Sequence, residues 1–169
     1  MRKVLENQNM RMLSLLFVAT ALAGCASGPP SQARQQEAHT ESCKPISEAE
    51  VAALFDRWNQ SLQTGDPHQV VANYAERSIL LPTVSNKPRL TPSEKEDYFR
   101  YFLKDRPSGK IDQRMIETGC NTALDAGLYT FTFGKTGETV SGRYSYTYRW
   151  DGHEWLITSH HSSAMPEKN

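Results

Sequence analysis

The hydrophobic periodicity of this chain changes once, near Ile111, and that change limits it to a fold in which helices come first and a sheet follows. Before it, Val51, Leu54, Phe55, Trp58 and Leu62 recur at the helical period. They follow Ser47-Glu48-Ala49-Glu50, a capping box, with Ile46 and Val51 placed as a hydrophobic staple. The pattern predicts a long amphipathic helix running to about Thr64, which Gly65 can end in the left-handed conformation. Asp66-Pro67 then supplies an N-cap and first-turn proline for a short helix through Tyr74. Ser78 to Thr83 reads as a short strand. Thr91-Pro92-Ser93-Glu94 opens a third helix that carries Tyr98, Tyr101 and Phe102 and closes before Pro107.

Beyond Ile111 the residues alternate as strands do: Gln113 to Asn121, Leu128 to Phe133, Glu138 to Trp150 and Glu154 to Ser163. Asp125-Ala126-Gly127, Gly134-Lys135-Thr136-Gly137 and Asp151-Gly152 read as the turns between them. Connections this short predict an antiparallel meander, so the expected class is α+β, with the helices packed on one face of a curved sheet. No internal repeat or heptad is visible.

The N-terminus carries addressing information rather than fold. Arg2, Lys3 and Arg11 precede an apolar run from Leu13 to Ala23 that closes on Leu22-Ala23-Gly24-Cys25, the order of a lipoprotein signal peptide. The run is too short to cross roughly 30 Å of hydrocarbon at about 1.5 Å per residue. Residues 1–24 are therefore expected to be removed and Cys25 lipidated; a start at Met10 would give the same mature chain. Residues 25–42, beginning Ala26-Ser27-Gly28-Pro29-Pro30-Ser31, are too polar to bury a core and read as a tether. Ala26, where an Asp would retain the protein elsewhere, suits the periplasmic side of the outer membrane. Residues 43–169 remain for one domain.

Removing residues 1–24 takes away Arg2, Lys3, Arg11 and Glu6, which turns a balance of 19 basic and 19 acidic groups into a net charge near −2. No basic patch points to nucleic acid. With Cys25 carrying lipid, Cys43 and Cys120 remain as an even pair in an oxidising compartment, where a disulfide is expected. Closing so long a loop would stabilise the fold by roughly 4 kcal/mol in the chain-entropy model.

The element order, with Trp58 in the first helix and a last strand ending near a proline, resembles the nuclear transport factor 2-like cone. Leu80-Leu81-Pro82-Thr83-Val84-Ser85, Tyr98-Phe99 with Phe102-Leu103, Asp125 to Phe131 and His160-His161-Ser162-Ser163-Ala164-Met165-Pro166-Glu167 narrow this. They resemble the bacterial branch of the calcium/calmodulin-dependent kinase II association-domain family, which contains the iota-class carbonic anhydrases. The resemblance implies reversible hydration of carbon dioxide to bicarbonate, carried out by Thr83, Tyr101, His160 and Ser162. Thr83, Tyr101 and Ser162 would position water and bicarbonate, and His160 would assist proton movement. Arg143 could align with a pocket arginine of the kinase domain and hold the anion. A homodimer is the usual state of such cones.

Strand alternation places Leu156, Thr158, His160 and Ser162 on one face and Trp155, Ile157, Ser159, His161 and Ser163 on the other. Only one His-Ser pair can enter the cone, and a bulge would swap the two sets. In the kinase domain a pocket arginine follows the strand's tryptophan, and counting seven residues on from Trp155 reaches Ser162, so His160 and Ser162 are placed inside. Neighbouring histidines on a strand point apart, and no spaced His/Cys/carboxylate cluster exists elsewhere, so no metal site is expected. No cofactor motif is visible either. Metal-free hydration needs a dry pocket, donors aimed at the bicarbonate oxygens and a group that orients water. An anion-binding or oligomerisation module of the association-domain type is the alternative. Proton abstraction by a buried carboxylate ranks lower, because Asp97, Asp112 and Asp125 sit in helix-face or turn contexts.

Overall fold

A computed structural model describes residues 42–167. The signal peptide (1–24), the lipidation at Cys25 and the tether as far as residue 41 lie outside the described residues. Among the described residues no helix is long and apolar enough to cross a membrane.

Helix α1 (Glu48–Leu62) starts as its sequence dictates: Ser47 Oγ accepts from the Glu50 amide while the Glu50 carboxylate accepts from the Ser47 amide. Its buried stripe is Val51, Phe55, Trp58 and Leu62. Gly65 takes φ +71°, the left-handed region where glycine carries no Cβ penalty. Helix α2 (Pro67–Val71), capped by Asp66, is shorter than its composition suggests. Tyr74 belongs instead to strand β1 (Tyr74–Leu81), because its ring is buried under α3 and its backbone pairs with the last strand. Helix α3 (Pro92–Phe102) has a second capping box, Thr91 with Glu94, and runs into a 3-10 turn at Leu103–Asp105.

Strands β2 (Pro107–Gly119), β3 (Thr122–Phe133), β4 (Thr139–Trp150) and β5 (Trp155–Ala164) form the expected antiparallel meander. Strand β1 joins the far side of β5 in parallel, giving the order β1-β5-β4-β3-β2 and an α+β architecture. The helices cover one face, where Trp58 packs on Phe99, Phe131, Tyr146 and His160. Tyr144, Tyr146 and Tyr148 all face this core.

The sequence misleads at Asp125-Ala126-Gly127. This segment is not a turn; it is the middle of β3, and the reversal falls at Cys120-Asn121, where Asn121 takes φ 57°. Gly127 pairs with Arg114, next to the bulge at Asp112 in β2, and a Cβ there would stand 1.9 Å from the Gln113 carbonyl oxygen. The glycine thus serves close backbone approach rather than a reversal. Asp125 is consequently fully buried, accepting from Arg114 (2.8 Å) and from the Tyr144 hydroxyl (2.7 Å).

Cys43 and Cys120 form a disulfide that joins the start of the domain to the β2–β3 reversal. Asn121 reinforces it, accepting from the Lys44 amide at 2.8 Å and donating to the Ser42 carbonyl at 3.1 Å. Lys95 is buried with its Nζ donating to the carbonyls of Ser78 and Leu90, each at 3.0 Å, and burial lowers its pKa. It therefore ties α3 both to β1 and to the loop that follows β1.

Candidate active site

A cavity of about 630 Å³ opens between α3, the loop after β1 and the inner face of the sheet. Pro82 and Thr83 leave β1 directly beside β5, since Leu80 and Leu81 pair with His160 and His161. That register brings Thr83 to Ser162. The Thr83 and Tyr129 hydroxyls both hydrogen-bond Ser162 Oγ, so three neutral hydroxyls, from the loop after β1, from β3 and from β5, converge on the cavity wall.

His160 lies deeper, 4% exposed, with Nδ1 2.7 Å from the Tyr74 hydroxyl. Burial, followed by the nearby His161, holds its pKa down to about 3. The ring is neutral at ordinary pH. Burial pushes the Tyr74 phenol well above its usual range, so this hydroxyl keeps its proton and is able to donate it to Nδ1. In the tautomer with Nδ1 accepting, the imidazole proton sits on Nε2, a buried atom without a hydrogen-bond partner among the described residues.

His160 and Ser162 do face inward, but the alternation that sets them opposite Trp155 fails. Trp155 and Ile157 are buried on the same face, because Thr158 is an extra residue between the pairs Tyr148–Ile157 and Thr147–Ser159. This bulge returns the parity. His161 and Ser163 point outward.

The other assigned residues fare differently. Tyr101 is 69% exposed at the cavity mouth, stacked under Lys104 Nζ at 4.5 Å, and it bonds neither Thr83 nor Ser162. The phenol that bonds Ser162 is that of Tyr129. Arg143 is placed away from the cavity: Tyr144, Tyr146 and Tyr148 of β4 turn into the core, while Arg143 is exposed and donates to Ser163 Oγ at 3.2 Å. The cation at the cavity is Arg89, on the loop after β1, held by an isolated bridge between Leu80 and Arg89.

Tyr129 and Tyr98 also line the cavity, although the sequence assigns neither to the site. Burial raises both phenols, Tyr98 to about 12, so each is a proton donor at neutral pH. Tyr129 could have been found from the odd-numbered alternation Tyr129-Phe131-Phe133, had Gly127 not been read as a turn. Among the described residues no group of three or more His, Cys, Asp or Glu is placed to hold a metal ion.

Helices folded over one face of a curved, mainly antiparallel sheet, with a cavity between them, define a nuclear transport factor 2-like domain. A Pseudomonas putida KT2440 protein of that fold, 18% identical, superposes with a TM-score of 0.64 over 76% of this chain and 93% of its own. The chain belongs to the calcium/calmodulin dependent protein kinase II association-domain family, whose model matches residues 47–166. A Xanthomonas campestris crystal structure described as such an association domain is 44% identical, covers 76% of this chain and 98% of its own, and gives a TM-score of 0.68. A cyanobacterial iota-carbonic anhydrase complexed with bicarbonate is 19% identical, with a TM-score of 0.65 over 73% of this chain and 94% of its own. Comparison with curated protein sequences found no match.

Proposed function

We propose that this protein is a carbonic anhydrase that hydrates carbon dioxide reversibly at the Thr83–Ser162–Tyr129 cluster. The observation that carries this reading is the convergence of three hydroxyls beside the unpartnered Nε2 of His160 in a largely aromatic cavity. The likeness to a bicarbonate-complexed carbonic anhydrase agrees with it.

The chemistry follows from the hydroxyls. Adding water to carbon dioxide forms one C–O bond and releases one proton, leaving bicarbonate. Ser162 Oγ can accept the hydrogen bond of the attacking water, while Thr83, exposed at the cavity wall, passes the released proton on to solvent as each hydroxyl gives up one proton and takes another. Tyr129 and the Nε2–H of His160 donate toward oxygens on which negative charge develops, where preorganised donors matter most. A histidine whose pKa is near 3 is a poor proton carrier at neutral pH, so in this reading His160 acts as a donor.

Hydration by the folded full chain, followed by stopped flow with a pH indicator before and after exhaustive chelation, tests the activity and its metal requirement. Absence of hydration in a folded sample rejects the reading.

The addressing sequence supports a second part of the same proposal, an envelope lipoprotein attached through Cys25 on the periplasmic side of the outer membrane, where envelope carbon dioxide and bicarbonate are the substrates. Palmitate labelling that survives Cys25→Ser would reject the anchor. Family membership supports an alternative, a non-enzymatic association module, presumed dimeric, whose signature is assembly and anion binding without turnover.

A further inference from the structure

Thr83 is the one member of the hydroxyl cluster that no strand carries. Tyr129 and Ser162 stand on β3 and β5, whereas Thr83 is exposed on the loop that follows β1. Farther along that loop the bonds are long: Ser85 Oγ accepts from the Lys87 amide at 3.3 Å and from Arg89 Nη2 at 3.4 Å. The firm bonds lie at the base, where Leu80 and Arg89 exchange both backbone hydrogen bonds, at 3.0 and 2.9 Å.

One residue beyond Arg89, the Leu90 peptide is gripped from α3 on both sides. Its amide donates to the Glu94 carboxylate at 2.9 Å, and its carbonyl accepts from Lys95 Nζ at 3.0 Å. The same Nζ donates to the Ser78 carbonyl at 3.0 Å, in the stretch of β1 between Tyr74 and Ile79 where the register with β5 shifts. Lys95 thus spans the two ends of the excursion that carries Thr83.

Lysine is a costly residue for that place. The side chain is fully buried, and its ammonium bonds two carbonyls and, among the described residues, no carboxylate. Neighbouring Glu94 is engaged by Lys87 at 2.9 Å. The Tyr74 ring, 5.9 Å from Nζ, offers only its π face. A buried charge without a counter-charge opposes folding, and a methionine of similar length would fill the same space without that penalty. What the lysine adds is donors at a single point for the carbonyls of both loop ends.

We propose that Lys95 is a positioning residue: by clamping Leu90 to β1 it holds the loop so that the Thr83 hydroxyl stays on Ser162. Its role in turnover rests on the proposed carbonic anhydrase reading; its hold on the loop does not.

A double-mutant cycle on the full chain tests this, with carbon dioxide hydration followed by stopped flow in wild type, Lys95→Met, Thr83→Ala and the double variant. Folded Lys95→Met is expected to lose about tenfold in kcat, the effect of a slightly misplaced group, with KM for carbon dioxide unchanged. The double variant should be no slower than Thr83→Ala, because the lysine acts through Thr83. A kcat equal to wild type, a loss confined to KM, or losses that multiply in the double variant overturns the proposal. Should Lys95→Met fail to fold, Lys95→Gln, which keeps an amide donor at shorter reach, takes its place in the cycle with the same outcomes. Amide hydrogen exchange on the same samples is independent of turnover: Leu80 and Arg89 should exchange at least about tenfold faster in the lysine variant while the amides of α1 are unchanged. Folded wild type without hydration defeats the enzymatic reading and leaves this measurement to decide the clamp. Equal protection of Leu80 and Arg89 in wild type and variant defeats the Lys95 inference alone.

Discussion

The Tyr74 hydroxyl and His160 Nδ1 lie 2.7 Å apart below the cavity, where burial keeps the imidazole neutral. The folded chain protonates His160 near pH 3, whereas an unperturbed imidazole in the unfolded chain does so near 6.5. Between those values the unfolded state binds more protons, so falling pH favours unfolding; stability rises with pH through this window and levels off above about 6.5. The pH dependence of the urea midpoint should therefore be steeper between pH 6 and 4 for wild type than for His160→Gln, by an amount on the order of a few kcal/mol across the window. Equal slopes would show that His160 is not buried as described. Activity, in contrast, should show no inflection from His160 between pH 5 and 8.

Ser162 is the common partner of Thr83 and Tyr129, so its removal should disable the cluster without unfolding the domain. Ser162→Ala is expected to lower the exchange rate by on the order of 10²-fold, because it removes the acceptor that orients the attacking water. Tyr129→Phe should fall in the same direction. Tyr101→Phe, altered at an exposed position, should change the rate little. A Tyr101→Phe loss as large as that of Tyr129→Phe would return the phenol role to Tyr101.

Gly127 is the position where backbone geometry speaks most clearly. A Cβ there meets the Gln113 carbonyl at 1.9 Å, a clash with main chain that no rotamer relieves. Gly127→Ala should cost at least about 1–3 kcal/mol, the usual range for overpacking, measured as a lowered urea midpoint. A neutral effect would mean that β2 and β3 do not approach so closely.

Cys43 and Cys120 close a loop with a sequence separation of 77 residues. The Cys43→Ser/Cys120→Ser double variant should lose about 2–5 kcal/mol of stability, and reductant should shift the melting temperature of wild type toward that of the variant. Reductant acting equally on both would contradict the pairing.

The sequence shows the architecture more plainly than the site, for a physical reason. Capping boxes at Ser47 and Thr91, the Trp58 stripe and the switch to strand alternation are local signals, and each appears where expected. The α2 boundary at Tyr74 and the turn at Asp125-Ala126-Gly127 are misread because tertiary contacts decide them: burial of Tyr74 under α3, and the close approach of the β2 backbone that Gly127 permits. The same holds for orientation. His160 and Ser162 face inward only because Thr158 is a bulge, which alternation does not encode. Arg143 points away because β4 turns its tyrosines inward, while Arg89 reaches the cavity from a loop with no periodic signal. Arg143→Ala should accordingly leave exchange unchanged.

Oxygen-isotope exchange between carbon dioxide and water, followed at chemical equilibrium with the folded full chain, tests the proposed chemistry most directly. Exchange well above the uncatalysed rate in wild type, and lost in folded Ser162→Ala, is the predicted result. Exchange at the background rate in wild type, or equal exchange in the two proteins, would contradict it.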